Sequence, residues 1–502
     1  MFTGERRTAL DPVIVGVLAV AISLIGAGRP SFWYDEAATI SASYSRSLSQ
    51  LWQMLGNVDA VHGLYYAVMH GWFLVFPPTE FWSRVPSGLA VGGAAAGIVV
   101  LGKQFSSRTV ALSSGVICAI LPRATWAGIE ARPYAFSMLA AVWLTVLLVA
   151  ATRRENAWGW LSYGIALATS ILLDIYLVLL LLAHVAFVVI YRRTRTALVR
   201  FAITSILACC VVAPFVLKAI GQAHQIIWIA PIGGRTVEDV AVQQYFERSP
   251  PFTIVSAIVI ATAIVLWLFT SAQLAQSDRQ LLTLAIAWLV MPTAVILIWS
   301  AFVHPIYTPR YLCFTAPAMA VVLGVCIGAV AVAPWMAAVI VSVFALAAAP
   351  NYLLVQRSPY AKYGMDYSQV ADLVTANAAP GDCLLVNDTV TFMPAPMRPL
   401  LAARPDAYRK LADLSLWQRA TDRDDVFDTN LIPEATAGPL SDCHVVWIIT
   451  QADPSRPAHE QAPMPPGQLF GVTPAFSVPN DQGFRLLERW QFNLVQVIKA
   501  AR

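Results

Sequence analysis

Two adjacent acids stand where acids are costly. Asp35 and Glu36 follow Ser31-Phe32-Trp33-Tyr34, just beyond the first apolar segment of a strongly hydrophobic chain. An acidic pair at a membrane exit, framed by aromatics, is expensive to desolvate and calls for a reason. One reading is an exposed loop acid at a helix N-terminus, where the backbone dipole favours negative charge. The other is a general base that takes a proton from an attacking hydroxyl. Further candidates lie at segment ends expected on the same side: Glu130-Ala131-Arg132-Pro133-Tyr134, Arg310-Tyr311 after His304-Pro305, His62 with Tyr65, and Asp174 with Tyr176.

Acids, arginines and aromatics on one side of a bilayer suit one reaction. A sugar leaves a lipid-linked phosphate as a hydroxyl attacks its anomeric carbon. The acceptor hydroxyl needs a carboxylate, and the leaving phosphate needs a cation, best a guanidinium engaging two oxygens. The sugar ring needs aromatic faces, for which Trp33, Tyr34 and Tyr65 are candidates. The donor must be membrane-borne, because nucleotide sugars are cytoplasmic.

The elements that must carry these residues follow from composition. The chain has 502 residues, 58% hydrophobic and only 12% charged, against roughly 25% charged in a soluble chain. A net charge of +4, spread along loops, excludes a nucleic-acid surface. Lysine is scarce, which with the high Ala and Val content hints at a GC-rich bacterial genome. Apolar segments near 11–28, 83–102, 109–124, 133–151, 157–173, 175–191, 198–217, 251–270, 281–303, 311–332 and 334–350 make about eleven spans. The first reads as a retained span, because no small-residue cleavage site follows it.

Region 61–76 decides the topology. Basic residues cluster at Arg6-Arg7, Lys103 with Arg108, Arg153-Arg154, and Arg192-Arg193-Arg195 with Arg200. If 61–76 does not cross, all four clusters fall on the cytoplasmic side, as the positive-inside rule asks. The reading is therefore an interfacial helix on the outer leaflet. Loops 29–82, 125–132, 218–250 and 304–310 then share the outer side with the tail from 351.

That tail is Pro-rich and charged. A helix is expected over Tyr367–Ala378, buried strands over Cys383–Asn387 and Cys443–Ile449, and a final strand pair over Phe484–Trp490 and Asn493–Ile498. A Pro-rich loop is read over Gln451–Gly467. The fold class is thus an α-helical polytopic membrane protein over 1–350 with an extracytoplasmic α/β domain over 351–502. Of seven cysteines, five sit in spans; Cys383 and Cys443 open strands in the tail, and the sequence leaves open whether they pair. No CxxC or His-rich pattern suggests a structural metal.

Five separated motifs carry a resemblance: Trp33-Tyr34-Asp35-Glu36, His62-Gly63-Leu64-Tyr65-Tyr66, Arg84-Val85-Pro86-Ser87, Ile129-Glu130-Ala131-Arg132-Pro133-Tyr134 and Arg310-Tyr311-Leu312. In this order they resemble the protein O-mannosyltransferase-like glycosyltransferases of the GT-C fold, in their bacterial, polyprenyl-phosphate-sugar-dependent branch. The resemblance covers roughly 30–350. It implies Asp35 as catalytic base with Glu36 as its partner, Arg310 and Tyr311 at the lipid phosphate, and Glu130 and Arg132 shaping the donor site. One departure stands out: His62-Gly63 occupies the place of the family's Pro-Pro, which makes His62 a candidate contact to the acceptor.

Each residue has a plainer reading. Glu130 and Arg132 could pair with other loop groups, Arg310 could snorkel from a span end, His62 and His304 could be structural, and Asp174 could cap a helix. The outer loop 221–250 is either a lid or packing material. As an enzyme, the chain is expected to move mannose, with arabinose or another pentose as the second choice, to an envelope glycolipid or polysaccharide, at the outer face of a bacterial cytoplasmic membrane. No cofactor is expected; a divalent metal at the acid pair lacks further convergent oxygens. A lipid-sugar transporter is the competing class, and it predicts two similar halves and mid-bilayer polar groups, neither of which the sequence contains.

Overall fold

The structure, a computed structural model, describes residues 9–154, 156–192, 194–269, 274–387, 397–453 and 474–502. Arg6, Arg7, Arg193 and the Pro-rich loop from 454 onward lie outside the described residues. Two compact units are found. One holds the chain up to Ala27, with Ala60–Tyr65 and Arg84–Gln356; the other holds Gly28–Asp59, Tyr66–Ser83 and Arg357–Arg502.

The first unit is helical, and its long segments are those the apolar runs predict. Among the described residues, seven helices are long and apolar enough to cross a bilayer: Glu80–Phe105, Tyr134–Arg154, Arg195–Gly221, Pro250–Phe269, Gln276–Phe302, Pro309–Val330 and Pro334–Gln356. Four shorter apolar helices, Asp11–Leu24, Arg108–Ile120, Ala157–Leu173 and Ile175–Tyr191, complete the expected set. Val211, Phe269, Phe302 and Leu346 are exposed, a liability in water but the ordinary state of a lipid-facing side chain. Helices approach closely where side chains are small. A methyl on Gly324 would lie 1.9 Å from the Ser114 hydroxyl, and one on Gly92 would lie 2.8 Å from the carbonyl of Gly16.

Region 61–76 forms a 3-10 turn, Ala60–His62, and a helix of 11 residues, Gly63–Phe73. At about 1.5 Å per residue that is about half the hydrocarbon thickness. The basic clusters gather at one end. Buried Asp11 receives Lys103 at 2.7 Å and Arg108 at 2.8 Å. Arg153 donates to the Gln104 carbonyl at 2.7 Å and lies over Phe105, and the charge of Arg192 bears on Arg153. Because successive helices run back and forth, residues 128–132, 174–176, 222–228 and 304–311 fall at the opposite end.

The second unit contains a five-stranded mixed sheet ordered β2(Ala412–Asp413)-β1(Cys383–Val386)-β5(Val445–Gln451)-β7(Val495–Ala501)-β6(Arg485–Gln491). β1 runs parallel to β2 and β5, whereas β7 is antiparallel to β5 and β6. A separate antiparallel pair joins β3(Leu416–Gln418) to β4(Thr429–Asn430). The expected helix is present as Tyr367–Asn377. Cys383 and Cys443 are disulfide-bonded and close a loop of 60 residues. The same unit carries two helices the apolar pattern did not reveal, Tyr34–Ser43 and Leu48–Asn57. Tyr34–Ser43 packs on Arg398–Ala403, and the Ser41 hydroxyl donates to the Val426 carbonyl at 2.5 Å.

Candidate functional site

The cationic group lies at the end of the first unit opposite its basic cluster. Arg132, beyond the short helix Pro122–Ala127, donates through Nη2 to Nε2 of His62 at 2.6 Å. A guanidinium cannot accept a hydrogen bond, so Nε2 carries the lone pair and the proton sits on Nδ1. Burial, and then the charges of Arg132 and Arg310, push His62 well below the usual histidine range. It is therefore neutral at physiological pH. The Arg132 guanidinium thus meets an uncharged imidazole, and the charge of Arg310 bears on the same ring.

Arg310 opens the 3-10 turn Pro309–Thr315, behind a proline that fixes the first turn. Its guanidinium lies 5.0 Å over Trp228 and 5.7 Å from the ring of Tyr311. Tyr311 stacks on Tyr176 at 5.6 Å. Asp174 accepts the Tyr176 amide at 3.0 Å, so its cap reading is realised, and burial pushes its carboxyl up to about 7. Glu130 is fully buried, and its carbonyl accepts the Ser87 hydroxyl at 2.6 Å. Arg84 donates to the Ala27 carbonyl at 2.7 Å, which ties two helix ends together. Tyr65 is fully buried, edge-on to Phe136 at 5.5 Å.

The 222–250 loop is built rather than loose. Gln222 accepts the Ala60 amide at 2.8 Å. Arg123 pairs with Glu247 and donates to the Gln244 carbonyl. Glu247 and Arg248 both adopt left-handed backbone, φ 33° and 52°, a cost of order 1–3 kcal/mol each. Asn351 holds their two carbonyls at 2.7 and 3.2 Å.

The acid pair belongs to the second unit, in the first turn of Tyr34–Ser43. Glu36 is fully buried, while Asp35 is half-buried and keeps solvent access. Only Asp35 of the two can therefore meet an incoming alcohol without rearrangement. Trp33, also buried, lies 4.6 Å from the ring of Tyr363, and half-buried Tyr34 lies 5.1 Å from Phe427. Tyr367 is fully buried nearby, its phenol pushed up by burial and then by the charges of Asp366, Tyr34 and Asp35. Asp366 accepts the amides of Leu494 and Val495 at 2.7 and 3.0 Å, and burial pushes its carboxyl up to about 6.

Sequence reasoning brought out both groups but missed their supports. Ser368, Glu80 and Arg404, which hold the residues before Asp35, are of common types with no local pattern. Their partners lie about 300 residues away in the chain. Among the described residues, no group of three or more His, Cys, Asp or Glu is arranged to hold a metal ion.

The arrangement of helices with a sheet-bearing tail is a fold shared with solved structures. The chain is similar to the crystal structure of ArnT from Cupriavidus metallidurans in the apo state, with a TM-score of 0.62 and 11% identity over 97% of each chain. It is similar also to that protein bound to undecaprenyl phosphate, with a TM-score of 0.57 and 11% identity over 97% of each chain. A third likeness, to the Archaeoglobus fulgidus oligosaccharyltransferase complex with Zn and sulfate, has a TM-score of 0.45 at 10% identity, covers 87% of this chain and 67% of that one, and carries no argument. No family model and no curated protein matches the sequence.

Proposed function

We propose that the protein is a membrane glycosyltransferase that moves a sugar from a polyprenyl-phosphate donor to a hydroxyl of an envelope glycolipid or polysaccharide, at the outer face of a bacterial inner membrane. The observation that carries this reading is the Arg132 guanidinium against His62, with the charge of Arg310 bearing on the same ring. A guanidinium fork matches the two oxygens of a lipid phosphate. The fold likeness to a protein whose structure holds undecaprenyl phosphate points the same way.

The reaction is a single displacement. The acceptor hydroxyl forms a bond to the anomeric carbon while its proton passes to the Asp35 carboxylate. The bond from that carbon to the phosphate oxygen breaks, and the electron pair leaves with the polyprenyl phosphate, whose added charge Arg310 offsets. Asp35 suits the base role through its access and its place at a helix N-terminus, where a carboxylate is favoured. Glu36 supports it from the interior. Glu130 and Arg132 shape the donor end, and Tyr34 offers a half-open ring to the sugar. Trp33 and Tyr65 act by packing. Mannose is the preferred sugar and a pentose such as arabinose the second.

The test uses the full chain in lipid vesicles, supplied with labelled polyprenyl-phosphate mannose or the pentose analogue and an envelope glycolipid extract. Asp35→Asn lowers transfer by about 10²–10⁴-fold with expression and melting temperature preserved. A near-normal rate in that variant removes the base assignment, and transfer of neither sugar by the unaltered protein removes the donor assignment.

A further inference from the structure

We propose that Ser368 is a positioning residue for Asp35: its backbone and hydroxyl clasp Ser31 and Phe32, and so set the turn from which the acid-bearing helix starts. The inference rests on Asp35 being the base.

The Tyr34–Ser43 helix cannot fix its own start. Its N-cap is Trp33, which makes no side-chain cap. The usual capping residues would anchor the first turn locally; here the anchor comes from residues 359–427. The Ser31 amide donates to the Pro359 carbonyl at 2.8 Å. The Ser368 amide donates to the Ser31 hydroxyl at 3.1 Å, and the Phe32 amide donates to the Ser368 hydroxyl at 3.0 Å. Trp33 lies against Tyr363, Tyr34 against Phe427, and the charge of Asp35 bears on the Tyr367 phenol. Each residue from Ser31 to Asp35 thus meets the 359–427 segment.

The Ser368 hydroxyl is itself held in one orientation. It donates to Glu80 at 2.5 Å, and both Glu80 oxygens accept from Arg404 Nη1, at 2.6 and 2.8 Å. Arg404 Nη2 reaches Asp372 at 3.0 Å. Ser31, Phe32, Ser368 and Glu80 are all buried. With its single proton committed to a carboxylate, the hydroxyl offers its lone pairs to the Phe32 amide. Removing it takes this acceptor from the buried amide and loosens the turn two residues before the helix. A displacement of about 1 Å at a reacting group can cost about 10²-fold in rate.

The test repeats the vesicle assay with Ser368→Ala, Ser31→Ala, Asp35→Asn and the double variant Ser368→Ala/Asp35→Asn. Hydrogen exchange is followed on peptides covering 30–36 and on β5 and β7. The expected result for Ser368→Ala is a rate loss of about 10- to 100-fold, an unchanged half-saturating donor concentration, and faster exchange confined to 30–36. No further loss is expected in the Asp35→Asn background. Ser31→Ala gives the same signature more weakly and carries the test if Ser368→Ala does not fold. A normal rate in both serine variants with Asp35→Asn inactive overturns the positioning role and leaves the base assignment standing. A full additional loss in the double variant also overturns it, since Ser368 then acts elsewhere. A near-normal rate in Asp35→Asn alone marks failure of the base assignment instead, and the inference falls with it.

Discussion

Asp366 provides a pH signature in the second unit. Its carboxyl is buried and takes the amides of Leu494 and Val495. Burial nevertheless dominates and raises it to about 6. The folded state therefore binds this proton more tightly than the unfolded chain, whose carboxyl titrates near 4. Between about pH 4 and pH 6 the folded form holds more protons, so stability falls as pH rises through that window and levels off above it. At about 1.4 kcal/mol per unit of pKa, the difference is about 3 kcal/mol. Asp366→Asn keeps a carbonyl oxygen for the two amides and cannot ionise. It is expected to remove this carboxyl's share of the slope and to be more stable than the unaltered protein at pH 7. The neighbouring groups Tyr360, Tyr367 and Tyr408 are phenols and do not titrate in the window. The assay is thermal unfolding of the detergent-solubilised protein from pH 4 to 8, read on tail peptides by hydrogen exchange. Parallel pH profiles for the two proteins refute the reasoning.

Three further outcomes follow from packing and charge. Replacing Cys383 and Cys443 together by Ser opens a loop of 60 residues and is expected to cost about 4 kcal/mol; denaturant unfolding of the tail under oxidising conditions measures it, and a midpoint unmoved from the parent excludes it. Arg310→Ala removes a charge-assisted contact of about 1.5–3 kcal/mol, so vesicle binding of undecaprenyl phosphate should weaken by about 10- to 150-fold with the melting temperature unchanged. Lost stability with unchanged binding assigns Arg310 to packing on Trp228 instead. Gly324→Val drives a side chain into the Ser114 backbone and should cost about 1–3 kcal/mol, visible as a lower melting temperature.

What was legible in the sequence was what is written locally. Apolar runs of about 20 residues announce helices because lipid leaves the backbone no other partner, and the observed helices fall within a few residues of the expected segments. The gathering of Lys103, Arg108, Arg153 and Arg192 at one end was legible through charge. Asp35 stood out as a candidate because an acid among Phe32, Trp33 and Tyr34 is out of place. Illegible were the pairings between distant segments. Phe32 and Ser368 are 336 residues apart, and Glu80 and Arg404 are 324 apart; serine, glutamate and arginine at such separations carry no periodic signal. The grouping of 28–59 with the tail was hidden for the same reason. So was the left-handed backbone at Glu247 and Arg248, which long-range contacts to Arg123 and Asn351 sustain against local preference.

The place of β7 in the sheet has a consequence for timing. It lies between β5 and β6, so the sheet cannot close until residues 495–501 have been synthesised and delivered to its side of the membrane. Ser31 and Phe32 leave the ribosome some 330 residues before their partner Ser368. At about 5–20 residues per second, the acid-bearing helix waits roughly 15 to 70 seconds for its clasp. During biogenesis the nascent protein therefore passes through a long interval in which its spans can be inserted but its acid helix is unsecured, an interval open to chaperones and proteases.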